Sequence, residues 1–269
     1  MAAAVPGRIT LLTDFGFADG YAAAMRGVIA DRAPGVTVDD AGHGIEPGDI
    51  AGAAAALSRY WLEYPPGTVH IVVVDPGVGG SRRGLLVRAA GRAAVGPDNG
   101  VLTPLLESPG PVGVIEIRNA ALFRHPVSAT FHGRDVFAPV AAFIAQGGLD
   151  GDVGPAVFDP VRLPLPEPVS TPAGFRGVVT GSDRFGNLAT NVPAQLALDA
   201  ADVRVGGRSV GRVREAFSAA APGELLALIG SGGFLEIAVR DGSAAARLAA
   251  GRGAVVEGTA GPATMKAGR

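Results

Sequence analysis

The sequence predicts an α/β domain with a mainly parallel sheet, followed by a smaller all-β barrel domain. Three observations carry this prediction. Strand-like and helix-like segments alternate through residues 8–146, the pattern of βα units around a parallel sheet. Five prolines, Pro160, Pro164, Pro166, Pro168 and Pro172, then fall close together in a stretch with little helical period. Beyond them the apolar segments become short and are separated by turn residues, as in a small barrel or sandwich.

Element by element, RITLLT at 8–13 reads as a first strand, closed by Asp14-Phe15-Gly16. Residues 20–33 are Ala-rich with helical apolar spacing and stop before Pro34-Gly35. Thr37 and Val38 start a second strand that reaches Asp39 and Asp40, and His43 follows in a turn. Residues 47–62 read as a helix with Pro47 in its first turn. Residues 68–74 form the central strand: an unbroken apolar run into Asp75 is how a strand buried on both faces reads. Residues 84–90 and 92–96 read as a hairpin, closed by Pro97-Asp98-Asn99-Gly100. A strand at 112–117 and a helix at 133–146, with Gly147-Gly148 past its end, complete the domain. The expected boundaries are 1–160 for the α/β domain, 161–174 for a Pro-rich linker and 175–257 for the β domain. Its expected strands are 175–180, 203–205, 208–213, 225–229, 234–239 and 253–257. The tail 258–269 has no period and is expected to fray.

Composition narrows the function classes. At 269 residues with 48% hydrophobic and 18% charged residues, a sizeable core is expected. The formal net charge of −2 gives no hint of a nucleic-acid surface. The chain has no cysteine, which excludes disulfides, thiol catalysis and zinc–thiolate sites. No apolar run approaches the roughly 20 residues of a membrane span. MAAAVPGRIT lacks the apolar core of a signal peptide, so a soluble, cytoplasmic protein is expected.

Four constellations are able to carry chemistry. Asp14 ends the first strand, at the carboxyl edge of the sheet where α/β folds bind ligands, and a carboxylate there accepts two bonds from a ribose diol. The plainer reading is a helix-capping or turn aspartate. Asp75 ends the central strand in a glycine-rich turn, with Ser81, Arg82 and Arg83 close behind. The plainer reading there is a tight turn with solvated arginines. Phe131-His132-Gly133-Arg134-Asp135 sets an imidazole, able to carry a proton near neutrality, in a glycine-flanked loop. Its alternative is a locally satisfied histidine with Asp135 serving the helix dipole. In the β domain, Asp183-Arg184-Phe185-Gly186-Asn187 and Ser231-Gly232-Gly233-Phe234 offer a carboxylate, an amide and aromatic faces, or simply two hairpin turns. The four histidines lack metal-ligand spacing, so no metal is expected.

These positions together resemble one family, the S-adenosylmethionine hydroxide adenosyltransferases, relatives of the fluorinase and chlorinase. The resemblance spans nearly the whole chain. It rests on Thr13–Gly16, Val74–Gly79, Pro97–Gly100, Phe131–Asp135, Asp183–Asn187 and Phe234–Ala238 in that order. It implies an N-terminal α/β domain, a C-terminal β-barrel and a homotrimer, with the ligand between one subunit's N-terminal domain and a neighbour's C-terminal domain. It implies hydrolysis of S-adenosyl-L-methionine to adenosine and L-methionine, with no cofactor. Asp75, Arg82 and His132 fall on the family's water-handling set. Asp14 falls on the ribose position, Asp183 and Ser231 on the methionine end, Phe185 and Asn187 on the adenine side. Phe131 joins the substrate-binding set, and the backbone near Arg240 and Asp241 falls where the base edge is read.

The resemblance leaves the proton acceptor open between Asp75 and His132, and Arg82 is taken over Arg83 by its spacing from Asp75. Two other readings remain, a halide-using relative and an adenosine- or S-adenosylmethionine-binding module without turnover. Against the first, the halogenases carry Ser where this chain has Gly133 and Tyr where it has Asp75. The fluorinase has Thr at the position of Val78 and a long insertion that is absent between Val87 and Pro97. In the other direction, the fluorinase has Arg at the position of Gly232, so the methionine end is expected to be read differently here.

Overall fold

The structure, a computed structural model, describes residues 7–164 and 166–260. The chain divides into two compact units between Leu163 and Pro164. In the first, strands β1 (Arg8–Thr13), β2 (Thr37–Gly42), β3 (Val69–Val73), β4 (Gly84–Ala89), β5 (Arg92–Pro97) and β6 (Val112–Glu116) form one sheet in the order β2-β1-β3-β5-β4-β6. The pairs β1–β2, β1–β3 and β3–β5 are parallel, whereas β4 pairs antiparallel with both β5 and β6. The sheet is therefore mixed, with three parallel and two antiparallel pairs, because the tight turn at Ala90-Gly91 returns β5 directly beside β4 with no crossover helix, as the expected hairpin requires.

Burial follows the two-residue period of the strands. Ile9, Leu11, Ile71 and Val73 face one core, where helices α1 (Tyr21–Arg32) and α4 (Ala138–Ala145) contribute Met25, Ile29, Val140 and Ile144. Leu12, Val72, Leu85 and Val87 face the other, against Leu57 of α2 (Ile50–Tyr60), Trp61 and Leu105 of a short helix α3 (Thr103–Leu106). All five residues of β3 are buried, four apolar ones and His70, as a strand covered on both faces requires. Each of the apolar side chains contributes about 1.5–3 kcal/mol on burial. Helix α2 starts after Asp49, whose carboxylate accepts from Gly52 N–H at 3.0 Å, so Pro47 lies before the helix and not in its first turn. The expected helix at 133–146 is a π-turn, Gly133–Phe137, running into α4.

The second unit holds strands β7 (Val169–Thr171), β8 (Gly174–Ser182), β9 (Leu188–Pro193), β10 (Ala200–Val205), β11 (Arg208–Gly211), β12 (Val213–Arg214), β13 (Leu225–Ile229), β14 (Phe234–Val239) and β15 (Val255–Ala260). Their order, β11-β10-β15-β8-β9-β14-β13-β12, describes a barrel-like sheet, with β7 paired to β8. The long β8 serves three neighbours: Gly174–Val178 pair with β15, Val179–Ser182 with β9, and Gly174–Arg176 also with β7. Phe175, Val179, Leu188, Val203, Leu235 and Ile237 fill its core.

Several expectations change here. Two short helices, α5 (Ala194–Ala197) and α6 (Ala244–Leu248), interrupt an otherwise β unit. The stretch read as linker contains β7. Strand β9 was not foreseen, because Thr190 and Asn191 break its apolar alternation. Thr190 Oγ1 donates to the Leu235 carbonyl at 2.7 Å, so its hydroxyl is satisfied inside the sheet. The expected strand 208–213 splits after Gly211, whose φ of 100° few other residues adopt. Gly258–Ala260, expected to fray, belong to β15, and 261–269 lie outside the described residues.

Candidate active site

Strand β3 delivers Val74 and Asp75 to the carboxyl edge of the sheet. There the loop turns back, and Arg82 meets the aspartate it left behind. Arg82 Nε donates to both Asp75 oxygens at 3.0 Å, and its Nη2 adds a bond to Oδ2. The Asp75 side chain is only 4% exposed, so the ion pair is shielded from water. The Arg82 guanidinium also sits 5.4 Å from the Phe137 ring centroid. From a distant loop, His132 presents Nδ1 to Arg82 Nη2 at 2.7 Å. A guanidinium only donates, so Nδ1 is the acceptor and the neutral ring carries its proton on Nε2. Burial pushes the His132 pKa below its ordinary 6.5 and the Arg82 charge adds to this, against Asp75 and Asp135.

The two loops approach closely because of one glycine. Gly79 has φ of 76°, and a Cβ there would overlap the Ala129 carbonyl. Arg83, the neighbouring candidate, points elsewhere: its Nε donates to Asp98 at 2.7 Å and its Nη1 to Asp159 at 2.8 Å. Arg82 is thus the arginine that meets Asp75.

Asp14 lines the same cavity as Asp75, His132 and Phe131, a space of about 200 Å³. Its Oδ2 accepts from Gly48 N–H at 2.9 Å. The turn behind it is braced by buried polar groups: Thr13 Oγ1 lies 2.8 Å from His43 Nδ1 and accepts from Phe15 N–H at 3.1 Å. Phe131 meets Phe15 and Tyr21 edge to face, with centroids 5.8 and 5.3 Å away. The cavity therefore combines an aromatic wall with two carboxylates and an imidazole.

One contributor was missed as a functional position although its motif was noted. Asn99 Nδ2 donates to the Val74 carbonyl at 2.9 Å, holding the peptide that precedes Asp75. The motif Pro97-Asp98-Asn99-Gly100 thus braces the site from an adjacent strand. Its signal was the amide beside a strand end, which periodicity does not interpret.

The positions in the second unit fall in three places: the turn between β8 and β9, the turn before β14 and the segment after it. Asp183 accepts from Phe185 N–H, Asn187 N–H and Asn187 Nδ2, each at 2.9 Å. That is an aspartate closing its own turn. Phe185 is 76% exposed, whereas Asn187 is buried. Ser231 is exposed in the turn before β14. The Arg240 amide and carbonyl pair with Glu224 and Gly223, so its backbone is engaged within the unit. Asp241 is exposed, at φ of 58°. Among the described residues no cluster of three or more His, Asp or Glu groups forms a metal site.

A mixed α/β unit with a carboxylate, guanidinium and imidazole gathered at its strand ends, followed by a barrel-like unit, defines a two-domain protein with a pre-assembled polar pocket. Comparison with known proteins is specific. The model of the SAM hydroxide adenosyltransferase N-terminal domain matches residues 9–154, and that of the C-terminal domain matches 177–257. The chain belongs to the SAM hydroxide adenosyltransferase family. It is 41% identical over 257 residues to an (R)-S-adenosyl-L-methionine hydrolase of Salinispora arenicola, covering 94% of this chain and 98% of the relative. A crystal structure of an uncharacterized conserved protein from Thermotoga maritima superposes with a TM-score of 0.86 at 38% identity, covering 93% of this chain and 99% of that one. A fluorinase of Actinoplanes sp. is more distant, 29% identical over 211 residues, 68% of this chain and 71% of the relative.

Proposed function

We propose that this protein hydrolyses S-adenosyl-L-methionine, with water displacing methionine at the 5′ carbon of the ribose to give adenosine and L-methionine. The observation that carries this reading is the Asp75–Arg82–His132 set, assembled in the cavity that Asp14 also lines. The carbon–sulfur electron pair goes to sulfur, which changes from sulfonium to neutral thioether and needs no acid. The demand falls on the nucleophile. Orientation in line with the breaking bond contributes several kcal/mol, and positioned proton transfer about 10²–10⁴-fold.

The hydrogen-bond polarity supports one division of roles. His132 Nδ1 is occupied as an acceptor, so the ring meets the water as a donor through Nε2. Asp75 is then the group that takes the water proton, and Arg82 fixes both partners. Asp14 holds the ribose hydroxyls and Phe131 walls the cavity. Asp183 and Ser231 serve the methionine end, Phe185 and Asn187 the adenine, and the backbone after Arg240, at Asp241, the base edge. The working form in this reading is a cytoplasmic homotrimer in which neighbouring chains complete one another's sites. It requires no cofactor. The Salinispora relative's name specifies the (R) configuration at sulfur, and we carry that preference over to this chain.

Gly133 supports water over halide. A Cβ at Gly133 would stand 3.1 Å from Met25 Sδ and 3.4 Å from the Phe15 and Phe131 rings, so a side chain there would be tightly packed and would ask Met25 to yield by a few tenths of an ångström.

The experiment is to incubate the protein with each separated sulfonium epimer in ¹⁸O-labelled water and analyse the products by chromatography and mass spectrometry. The reading expects adenosine labelled at the 5′ oxygen, unlabelled methionine and faster turnover of the (R) epimer. No adenosine above the blank, or label in methionine, rejects it. Light scattering of the same preparation tests the trimer.

A further inference from the structure

Asp135 is fully buried, three residues beyond His132. A carboxylate near the start of a helix ordinarily faces solvent and serves the helix's own N–H groups. Asp135 does not. It points back into the loop that precedes it. Its carboxylate accepts from Arg134 Nε at 2.7 Å and Nη2 at 2.8 Å, from Arg124 Nη1 at 3.2 Å and from Ser128 N–H at 2.9 Å. Its carbonyl accepts from Arg124 N–H at 2.8 Å, and its own N–H donates to the Phe131 carbonyl at 3.1 Å.

One residue thereby ties down the start, the middle and the end of the segment 124–131, which leads straight into His132. The turn that brings Asp135 inward is a π-turn, in which Ala138 N–H bonds to the Gly133 carbonyl five residues back. Such turns re-aim side chains relative to a regular helix. Arg134, held by Asp135, lies 4.9 Å from the centroid of Phe131, the ring that walls the cavity. Burial alone would raise the Asp135 carboxyl, but bonds from Arg134, Ser128 and Arg124 hold it below the usual carboxylate range. It therefore stays ionised.

We propose that Asp135 is a positioning residue for the chemical step. Through the 124–131 loop it sets where His132 and Phe131 stand in the cavity, without touching substrate. This rests on the hydrolytic reading of that cavity.

The test uses the full-length chain with Asp135→Asn, which keeps the shape and removes the charge. Arg134→Met is the second variant, leaving the carboxylate with Arg124 and Ser128. Two readouts are taken: steady-state hydrolysis, and ¹⁵N-histidine NMR of the His132 ring across a pH titration. The charged groups bearing on that ring are Arg82, Asp75 and Asp135. For Asp135→Asn the expected result is a kcat lowered by about tenfold or more with KM within about threefold, the pattern of a defect confined to the transition state. The His132 ¹⁵N shifts and titration midpoint move with it. Arg134→Met is expected to shift the same resonances in the same direction, with a smaller loss of kcat. Unchanged His132 resonances together with a parental kcat overturn the proposal. So does a proportionate loss of melting temperature, kcat and substrate affinity with His132 unmoved. If Asp135→Asn does not fold, Arg134→Met decides by the same criteria. An inactive parent protein refutes the hydrolytic reading instead, and the NMR arm then judges the Asp135–His132 link by itself.

Discussion

Asp75 and Asp183 look alike in the sequence, each an aspartate beside a glycine-containing turn, and the structure treats them differently. Asp75 draws its partner from seven residues away, and that partner reaches a histidine fifty residues further on. Asp183 takes all three of its bonds from residues two and four positions ahead. The first arrangement exists only once the domain has folded. The second forms within one turn. A carboxylate has about four acceptor positions. Both accept three bonds, but Asp183 takes its three from its own turn, whereas Asp75 takes its three from one guanidinium and faces a cavity. The proposed reaction places its chemistry at the non-locally assembled group, and the locally closed aspartate in substrate binding.

The largest effect expected from this contrast is at Asp75. Asp75→Asn keeps the volume and removes the proton acceptor, and should slow single-turnover hydrolysis by about 10²–10⁴-fold. Asp183→Ala slowing that step equally would break the comparison.

Acid stability comes next. All four histidines, His43, His70, His125 and His132, lie in the first unit. Burial, helped by the Arg92 charge, pushes His70 down to about 4. The unfolded chain takes up that proton first, near pH 6.5, so stability present above pH 6.5 is lost as pH falls toward 4. The loss is on the order of 3 kcal/mol, at about 1.4 per pKa unit. His132, also lowered, acts in the same direction. Hydrogen exchange at pH 7 and pH 5 should show protection falling in residues 7–163 and holding in the second unit. Equal loss in both would contradict this.

Asp14→Ala should weaken substrate binding about ten- to a hundredfold, since a hydrogen bond to a charged group contributes about 1.5–3 kcal/mol. Calorimetry with S-adenosylmethionine and its 2′-deoxy analogue should show discrimination shrinking. Asp183→Ala should do least to the rate. Losing the turn's bonds should lower the melting temperature by a few degrees, at about 2–4 °C per kcal/mol, and weaken affinity with little change in single-turnover rate.

Much of this was legible beforehand because it depends on local pattern. The apolar run into Asp75 gave β3, and the Gly–Pro punctuation gave the ends of α1 and the β4–β5 hairpin. Six short motifs in order gave the family. What periodicity does not carry is partnership across the fold. Spacing from Asp75 separates Arg82 from Arg83 by a single residue, and it is the loop's path that sends one to Asp75 and the other to Asp98. Asn99 read as a turn residue because its carbonyl partner, Val74, is 25 residues earlier. Asp135 read as a helix-dipole residue because a π-turn leaves no mark in apolar spacing. Strand β9 escaped because a threonine and an asparagine satisfied by side-chain bonds look, in sequence, like a loop.

In the proposed reaction the Asp75–Arg82–His132 set acts in the chemical step and not in holding the substrate. The most direct measurement is the single-turnover rate and the calorimetric affinity of His132→Ala in one preparation. The prediction is a rate lowered by about 10²–10⁴-fold with a dissociation constant within about threefold of the parent's. A parental rate, or an affinity loss as large as the rate loss, would contradict it.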